Sequence, residues 1–333
     1  MEAYSTLIKG ARLIVETCMT VKEGDSVLII ADDQHRKHAQ TLAGVAVSLG
    51  ARVLVADVTA EVTAALVSMK YPMEPAPHLA NAMIHSDVII ITTNLEWANR
   101  FAHVNPVAAS VQRGAKIASV EEGMGSWDLT IEDIRATTER AERIIAAMEG
   151  AKTVQVTSPK GTDVTLSIAG RPPLKVVPVK EPGVMMGPIP LWGEVAYAAV
   201  EDQTQGTIVF DGVMLGVGIS GNLPEPIVVK VRDGRAYDIQ GGAAADALKH
   251  AFSLSDENCN VIAEFAIGTS EKEKFGSPSE KGMLGTVHFG LGDNAHCYPG
   301  GQSHSRTHLD GTSRDVTVIV DGKTIIQDGA LLV

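Results

Sequence analysis

Across its first 150 residues the chain alternates short, wholly apolar runs with helix-length amphipathic stretches, and nothing else in it restricts the possible folds as strongly. The runs VLII, VLVA and VIII lack the polar alternation of a half-exposed strand, so they read as parallel strands covered on both faces. Between them, apolar residues recur at helical spacing over residues 4–20, 34–49 and 78–85. They do so again in IEDIRATTERAERIIAAMEG, which Gly150 ends. The expectation is an α/β domain with a parallel sheet over residues 1–150. Asp32, Asp33 and Gln34 follow the first strand where a dinucleotide site needs G-x-G-x-x-G, so this half reads as a Rossmann-like scaffold or dimerisation unit.

After Gly150 short β-branched strands separated by glycine turns take over, with Asp-Gly hairpin tips at Asp233, Asp321 and Asp328 and one helix near 242–253. Residues 151–333 therefore read as a β-rich α+β domain, and 333 residues suit two domains of about 150 each.

A net charge of −12 without a basic run repels a phosphate backbone, so nucleic acid is not an expected partner. No stretch reaches the ~18 apolar residues of a membrane span, and Glu2 with helical spacing around Lys9, Arg12 and Glu16 does not make a targeting segment. Cys18, Cys259 and Cys297 are dispersed and odd in number, which suits a reducing compartment, the cytoplasm. Cys297, beside His296, is a minor candidate ligand or nucleophile.

The chemistry concentrates late in the chain. HCYPGGQSHSRTHLDG gathers His296, His304, His308 and Asp310, with His288 just upstream in GTVHFGLGDN. Imidazole with carboxylate is the donor set of zinc, manganese and iron sites. His308 and Asp310 are two apart, so an extended chain turns both to one face. His288, Glu264 in VIAEFAIG and Glu194 in PLWGEVAYAAVE lie in apolar segments, where a polar or charged group needs a partner, a proton or a cation if buried. A lone glutamate in such a segment is more often an edge group facing water; several beside a histidine cluster favour metal. His35, His38, His78, His85, His103 and His250 lie outside the cluster and read as surface or packing residues.

The order of Glu in GEVAYAAVE, Glu in AEFAIG, His in GTVHFGLGDN and His-x-Asp in THLDG resembles the aminopeptidase T family of metallopeptidases over nearly the full length. That resemblance implies an α/β N-terminal domain, a β-rich catalytic domain, and a homodimer with an enclosed active-site cavity. It further implies two divalent metals (zinc, cobalt or manganese) held by Glu194, Glu264, His288, His308 and Asp310, activating water against an amide bond of a small molecule or short peptide. Glu194 or Glu264 would relay a proton. The family tyrosine seven residues past the GTVH histidine is Ala295 here, leaving His296, Tyr298 or His304 to take its place. The chain also resembles 2,5-dihydroxypyridine 5,6-dioxygenases, non-haem Fe(II) ring-cleaving enzymes that share the terminal His-Leu-Asp. Their first iron histidine falls at Glu264, which breaks the two-histidine, one-carboxylate triad. The hydrolase reading therefore ranks first and the dioxygenase second. A non-catalytic protein with a structural metal ranks last, because structural zinc favours cysteine-rich shells.

Overall fold

The computed structural model describes residues 4–68, 74–94, 97–98, 101–102, 104–184 and 186–333; His103 lies outside the described residues. The chain packs as two units. One comprises the residues up to Ala136 together with Val176–Leu191, the other Thr137–Lys175 with Trp192–Val333.

The first unit is built on a parallel sheet of β1 (Ser26–Ala31), β2 (Arg52–Asp57), β3 (Val88–Thr92), β4 (Lys116–Val120) and β8 (Gly187–Ile189), in the order β2-β1-β3-β4-β8. Odd-numbered apolar residues of β1, such as Val27 and Ile29, enter one core, and Leu28 and Ile30 enter another. That is why VLII and VIII are apolar throughout. VLVA departs from the expectation. Leu54 and Val55 are 55% and 45% exposed, because β2 stands at the sheet edge rather than between two strands. The first helix runs Tyr4–Arg12 and widens into a π-helical stretch, Leu13–Cys18; the next spans Arg36–Ser48.

At the turn after β1, Asp32 accepts hydrogen bonds from the backbone N–H groups of His35 (3.0 Å) and Asn94 (2.9 Å). His35 is wedged between Asp32, 2.6 Å away, and Glu122, at 3.3 Å. Burial works against its charge, but the two carboxylates prevail and raise its pKa to about 9. A folded-state pKa above the unfolded value of about 6.5 means this contribution is complete below pH 6.5 and disappears as pH rises through 9. His35→Gln should therefore flatten the loss of stability between pH 6.5 and 9, by on the order of 1 kcal/mol given the exposure of Glu122. Urea midpoints of both proteins at either end of that range check this; equal slopes would refute it.

The second unit carries two antiparallel sheets. The larger, ordered β12-β11-β10-β6-β5-β16-β17-β18, is formed by β5 (Thr153–Thr157), β6 (Asp163–Ser167), β10 (Gln205–Phe210), β11 (Ile227–Arg232), β12 (Arg235–Gln240), β16 (Thr317–Val320), β17 (Lys323–Gln327) and β18 (Ala330–Leu331). Its two-residue loops at Asp233, Asp321 and Asp328 hold φ of 49°, 46° and 49°, each followed by a glycine with φ above 70°, as the Asp-Gly pairs predict. The predicted helix is present as Gly242–Ser253.

The smaller sheet is ordered β15-β14-β13-β9-β7. It contains β7 (Leu174–Val176), β9 (Glu194–Ala198), β13 (Ile262–Gly268), β14 (Val287–Gly292) and β15 (His308–Ser313). One face of it is apolar: Phe265 packs 6.0 Å from Phe289, which lies 6.5 Å from Phe210 of the other sheet. Strand alternation turns the remaining side chains to the opposite face.

Candidate metal centre

That opposite face carries Glu194 and Ala196 on β9, Glu264, Ala266 and Gly268 on β13, His288, Gly290 and Gly292 on β14, and His308 and Asp310 on β15. The strands align Glu194 with Gly268, Glu264 with Gly290, Gly290 with Asp310, and His308 with Gly292. Each donor thus faces a glycine or alanine across the ladder, which leaves room above the sheet for long polar side chains to converge. Gly290, between Glu264 and Asp310, is the tightest case. A Cβ there would lie 2.6 Å from Glu264 Oε2 and 2.8 Å from His308 Nε2.

Glu264 sits at the centre. Its Oε1 lies 3.2 Å from His288 Nε2 and its Oε2 3.0 Å from His308 Nε2. Asp310 Oδ1 is 2.9 Å from His308 Nε2, and Glu194 Oε2 is 3.8 Å from His288 Nε2. The five residues thus form two groups of potential ligand atoms, Glu194/Glu264/His288 and Glu264/His308/Asp310, with Glu264 in both. Glu264 and His288 are fully buried, and Glu194 and Asp310 nearly so.

Two observations test whether these groups suit a metal ion. Both imidazoles have Nδ1 against a backbone carbonyl, His288 at 3.1 Å from Lys281 O and His308 at 2.7 Å from Asp293 O. Donation from Nδ1–H to a carbonyl is the arrangement that presents Nε2 as a ligand. Around His308 Nε2 stand Glu264 Oε2, Asp310 Oδ1 and the Tyr298 hydroxyl at 3.3 Å, yet one N–H can serve only one of them. Asp310 Oδ1 is buried 2.9 Å from that nitrogen but poorly aligned to accept its proton. A cation ligated by several of these atoms resolves the crowding, so the residues fit a divalent metal.

The electrostatics agree. Burial pushes the Glu264 carboxyl up, but His288 and His308 reverse this and hold it at about 2. Burial likewise raises Asp310, and Lys281 and His308 bring it well below the ordinary carboxylate range. Glu194 stays raised, burial outweighing Lys281 and His288. Both imidazoles are raised despite burial, His288 chiefly by Glu264 and His308 chiefly by Asp310.

Of the residues expected to stand in for the family tyrosine, Tyr298 reaches the cluster: its ring stacks on His308 with centroids 5.4 Å apart. His296 and His304 do not. Both are exposed, with rings 5.6 Å apart, and His296 Nδ1 pairs with Asp293 Oδ1 at 2.8 Å, so these three form a separate group of potential ligands. A catalytic part for His296 is therefore not supported by its position. The Cys297 thiol is pushed up to about 12 by burial and by Asp293 and Glu264, which keeps it a thiol at neutral pH. A groove of 820 Å³ lined by Lys152, Arg171 and Tyr197 contains none of the five donors.

Lys281 and Trp192 belong to the centre and carry no signal in the sequence. Lys281 stands in the last part of a 3-10 turn, Pro278–Gly282, which Glu280 pins through paired contacts of 2.7 and 2.6 Å with Arg314. Its ammonium lies 2.7 Å from Asp310 Oδ2 and 4.3 Å over the Trp192 ring. Trp192 Nε1–H in turn donates to Glu194 Oε2 at 2.8 Å.

Comparison with known proteins gives the following. The sequence model of the family described as NicX, 2,5-dihydroxypyridine 5,6-dioxygenase, matches residues 7–333. No curated protein matches. Among solved structures, 2,5-dihydroxypyridine dioxygenase from Pseudomonas putida KT2440 superposes with a TM-score of 0.74 at 17% identity, covering 99% of this chain and 98% of that one. Wild-type AmpT from Thermus thermophilus superposes with a TM-score of 0.71 at 14% identity, covering 99% and 100%. Both share this α/β architecture of one parallel and two antiparallel sheets. The family that matches by sequence is the one ranked second by resemblance.

Proposed function

This chain belongs to the NicX, 2,5-dihydroxypyridine 5,6-dioxygenase, family of metal-dependent enzymes, and within it we propose a hydrolytic member that cleaves the amide bond of a short peptide or small amide in the manner of an aminopeptidase. One observation carries this reading: Glu264 offers one carboxylate oxygen to each of two imidazoles, joining two ligand groups through a shared carboxylate. That is the two-lobed donor set of two-metal hydrolases, whereas a ring-cleaving iron triad has histidine in its place.

Glu194, Glu264, His288, His308 and Asp310 would hold zinc, cobalt or manganese. A bound divalent ion supplies Lewis acidity, polarising a carbonyl and making water acidic enough to attack near neutral pH. The protein's own groups do the rest. The buried sheet face excludes bulk water, Glu194 is the carboxylate best placed to move a proton, and the Tyr298 hydroxyl donates toward oxygen charge developing beside His308. The assembly proposed with this reading is a homodimer, and the compartment the cytoplasm.

Tyr298→Phe keeps the ring stack on His308 and removes only the hydroxyl. It should lower kcat by about 100-fold, the scale of losing one such donor, with metal content unchanged. Turnover equal to wild type would remove Tyr298 from the reaction.

The second reading is an Fe(II) ring-cleaving dioxygenase, favoured by the family match itself. Metal analysis of freshly purified protein, followed by anaerobic assay of amino-acyl p-nitroanilides, separates the two. Oxygen-independent hydrolysis supports the proposal. Oxygen-dependent loss of a dihydroxypyridine with ferrous iron, and no amide cleavage, would overturn it.

A further inference from the structure

We infer that Asp293, His296 and His304 form a further metal site, separate from the five-donor cluster, which takes a zinc-like divalent ion at the protein surface and clasps the loop that carries Tyr298. It does not depend on which reaction the inner cluster performs.

The donor set is the first support. One ligand atom from each of the three residues lies within 4.8 Å of the other two. Small side-chain adjustments close that spread around one ion with bonds of about 2.1 Å. Two imidazoles with one carboxylate suit zinc and its transition-metal neighbours, whereas magnesium and calcium take oxygen donors. His296 and His304 are exposed and stand edge to face, so a hydrated ion reaches both rings directly and can keep a water as its fourth ligand.

The second support is that the site is held in shape by the chain around it. Asp293 is buried, and its Oδ1 accepts the His296 Nδ1–H at 2.8 Å and the Ser305 N–H at 3.2 Å, while Oδ2 accepts the His296 N–H at 3.3 Å. The two limbs of the loop are laced together: the N–H groups of Asn294 and Ala295 donate to Ser303 O at 2.9 and 3.1 Å, and the Ser303 N–H donates to Asn294 Oδ1 at 2.8 Å. Gly301 permits this closeness, since a Cβ there would lie 2.2 Å from Asn294 O. Ligands fixed beforehand spare the ion the cost of ordering them.

The third support is where the loop leads. The Asp293 carbonyl accepts the His308 Nδ1–H at 2.7 Å, and Tyr298, stacked on His308, falls between His296 and His304 in the chain. An ion joining those two histidines closes the segment around Tyr298 and removes conformational freedom from it. The outer ion is thus a clasp on the loop and takes no part in bond cleavage.

The test is zinc binding to the full chain, read by equilibrium dialysis and by diethyl pyrocarbonate modification of histidines followed by mass spectrometry. Wild type should bind one zinc ion more per chain than His304→Gln. Low-micromolar zinc should protect His296 and His304 together, while His250, exposed and outside both groups, stays reactive. Magnesium at the same concentration should protect neither. Glu264→Gln, with its inner cluster impaired, should retain the protection. Equal zinc counts in wild type and a folded His304→Gln overturn the inference, and so do His296 and His304 rings that remain reactive in zinc. If His304→Gln fails to fold, the wild-type protection decides alone. Protection that disappears in a folded Glu264→Gln would overturn the separateness of the two sites.

Discussion

Glu264→Gln should leave a folded protein whose metal affinity has fallen by more than about 100-fold and whose hydrolytic turnover is lost. Loss of a group that merely supports a ligand costs about 10- to 100-fold in affinity, and Glu264 is itself the proposed shared ligand. Glutamine preserves volume at a position with no exposure, so cavity formation does not complicate the outcome. Its amide can still donate to one imidazole, at 3.2 or 3.0 Å, which keeps β13, β14 and β15 together in the absence of metal. Chelator competition and elemental analysis of the purified variant check this. Full metal content with unchanged turnover would take Glu264 out of the site, and with it the reason for preferring hydrolysis to ring cleavage.

Gly290→Ala should produce a comparable defect without touching a ligand. The added methyl would lie 2.6 Å from both Glu264 Oε2 and His308 Cε1, too close for any real contact, so both ligand side chains must move. Displacing catalytic groups by about 1 Å costs on the order of 100-fold in turnover, and overpacking a buried sheet costs about 1–3 kcal/mol. Metal content, kcat and the urea midpoint should all fall together. An alanine variant with wild-type metal affinity would mean that Glu264 and His308 do not meet above Gly290 as described.

How far the site was readable depends on the distance over which each signal acts. His308 and Asp310 share a face because two residues of extended chain bring side chains back to the same side, a local rule that needs no partner. The same rule would have exposed the pattern around the other donors: Glu194 is followed by Ala196 and Ala198, Glu264 by Ala266 and Gly268, and His288 by Gly290 and Gly292. A polar residue followed by small ones at every second position marks a strand face kept open. Tyr298 was one of three candidates, and only the path of the loop after β14 set it against His308 while leaving His296 and His304 in solvent. Lys281 was unreadable. In a segment that also holds Lys272 and Lys274, nothing local distinguishes the one lysine that the Glu280–Arg314 pair turns inward. The exposure of VLVA was hidden for a related reason, since a strand's own residues do not record whether it stands at an edge.

The sequence by itself determined the classes of element, the parallel strands of the first 150 residues, the Asp-Gly hairpin tips and the chemical types gathered late in the chain, because periodicity and turn chemistry act within a few residues, whereas the return of Gly187–Ile189 to the parallel sheet came only from the tertiary structure. Only the tertiary structure decided that residues from 194 to 310 meet on one sheet face, which carboxylate stands between two imidazoles, and that a lysine joins them. Those outcomes depend on strand order and register, which join residues far apart in the chain through packing that no short segment encodes.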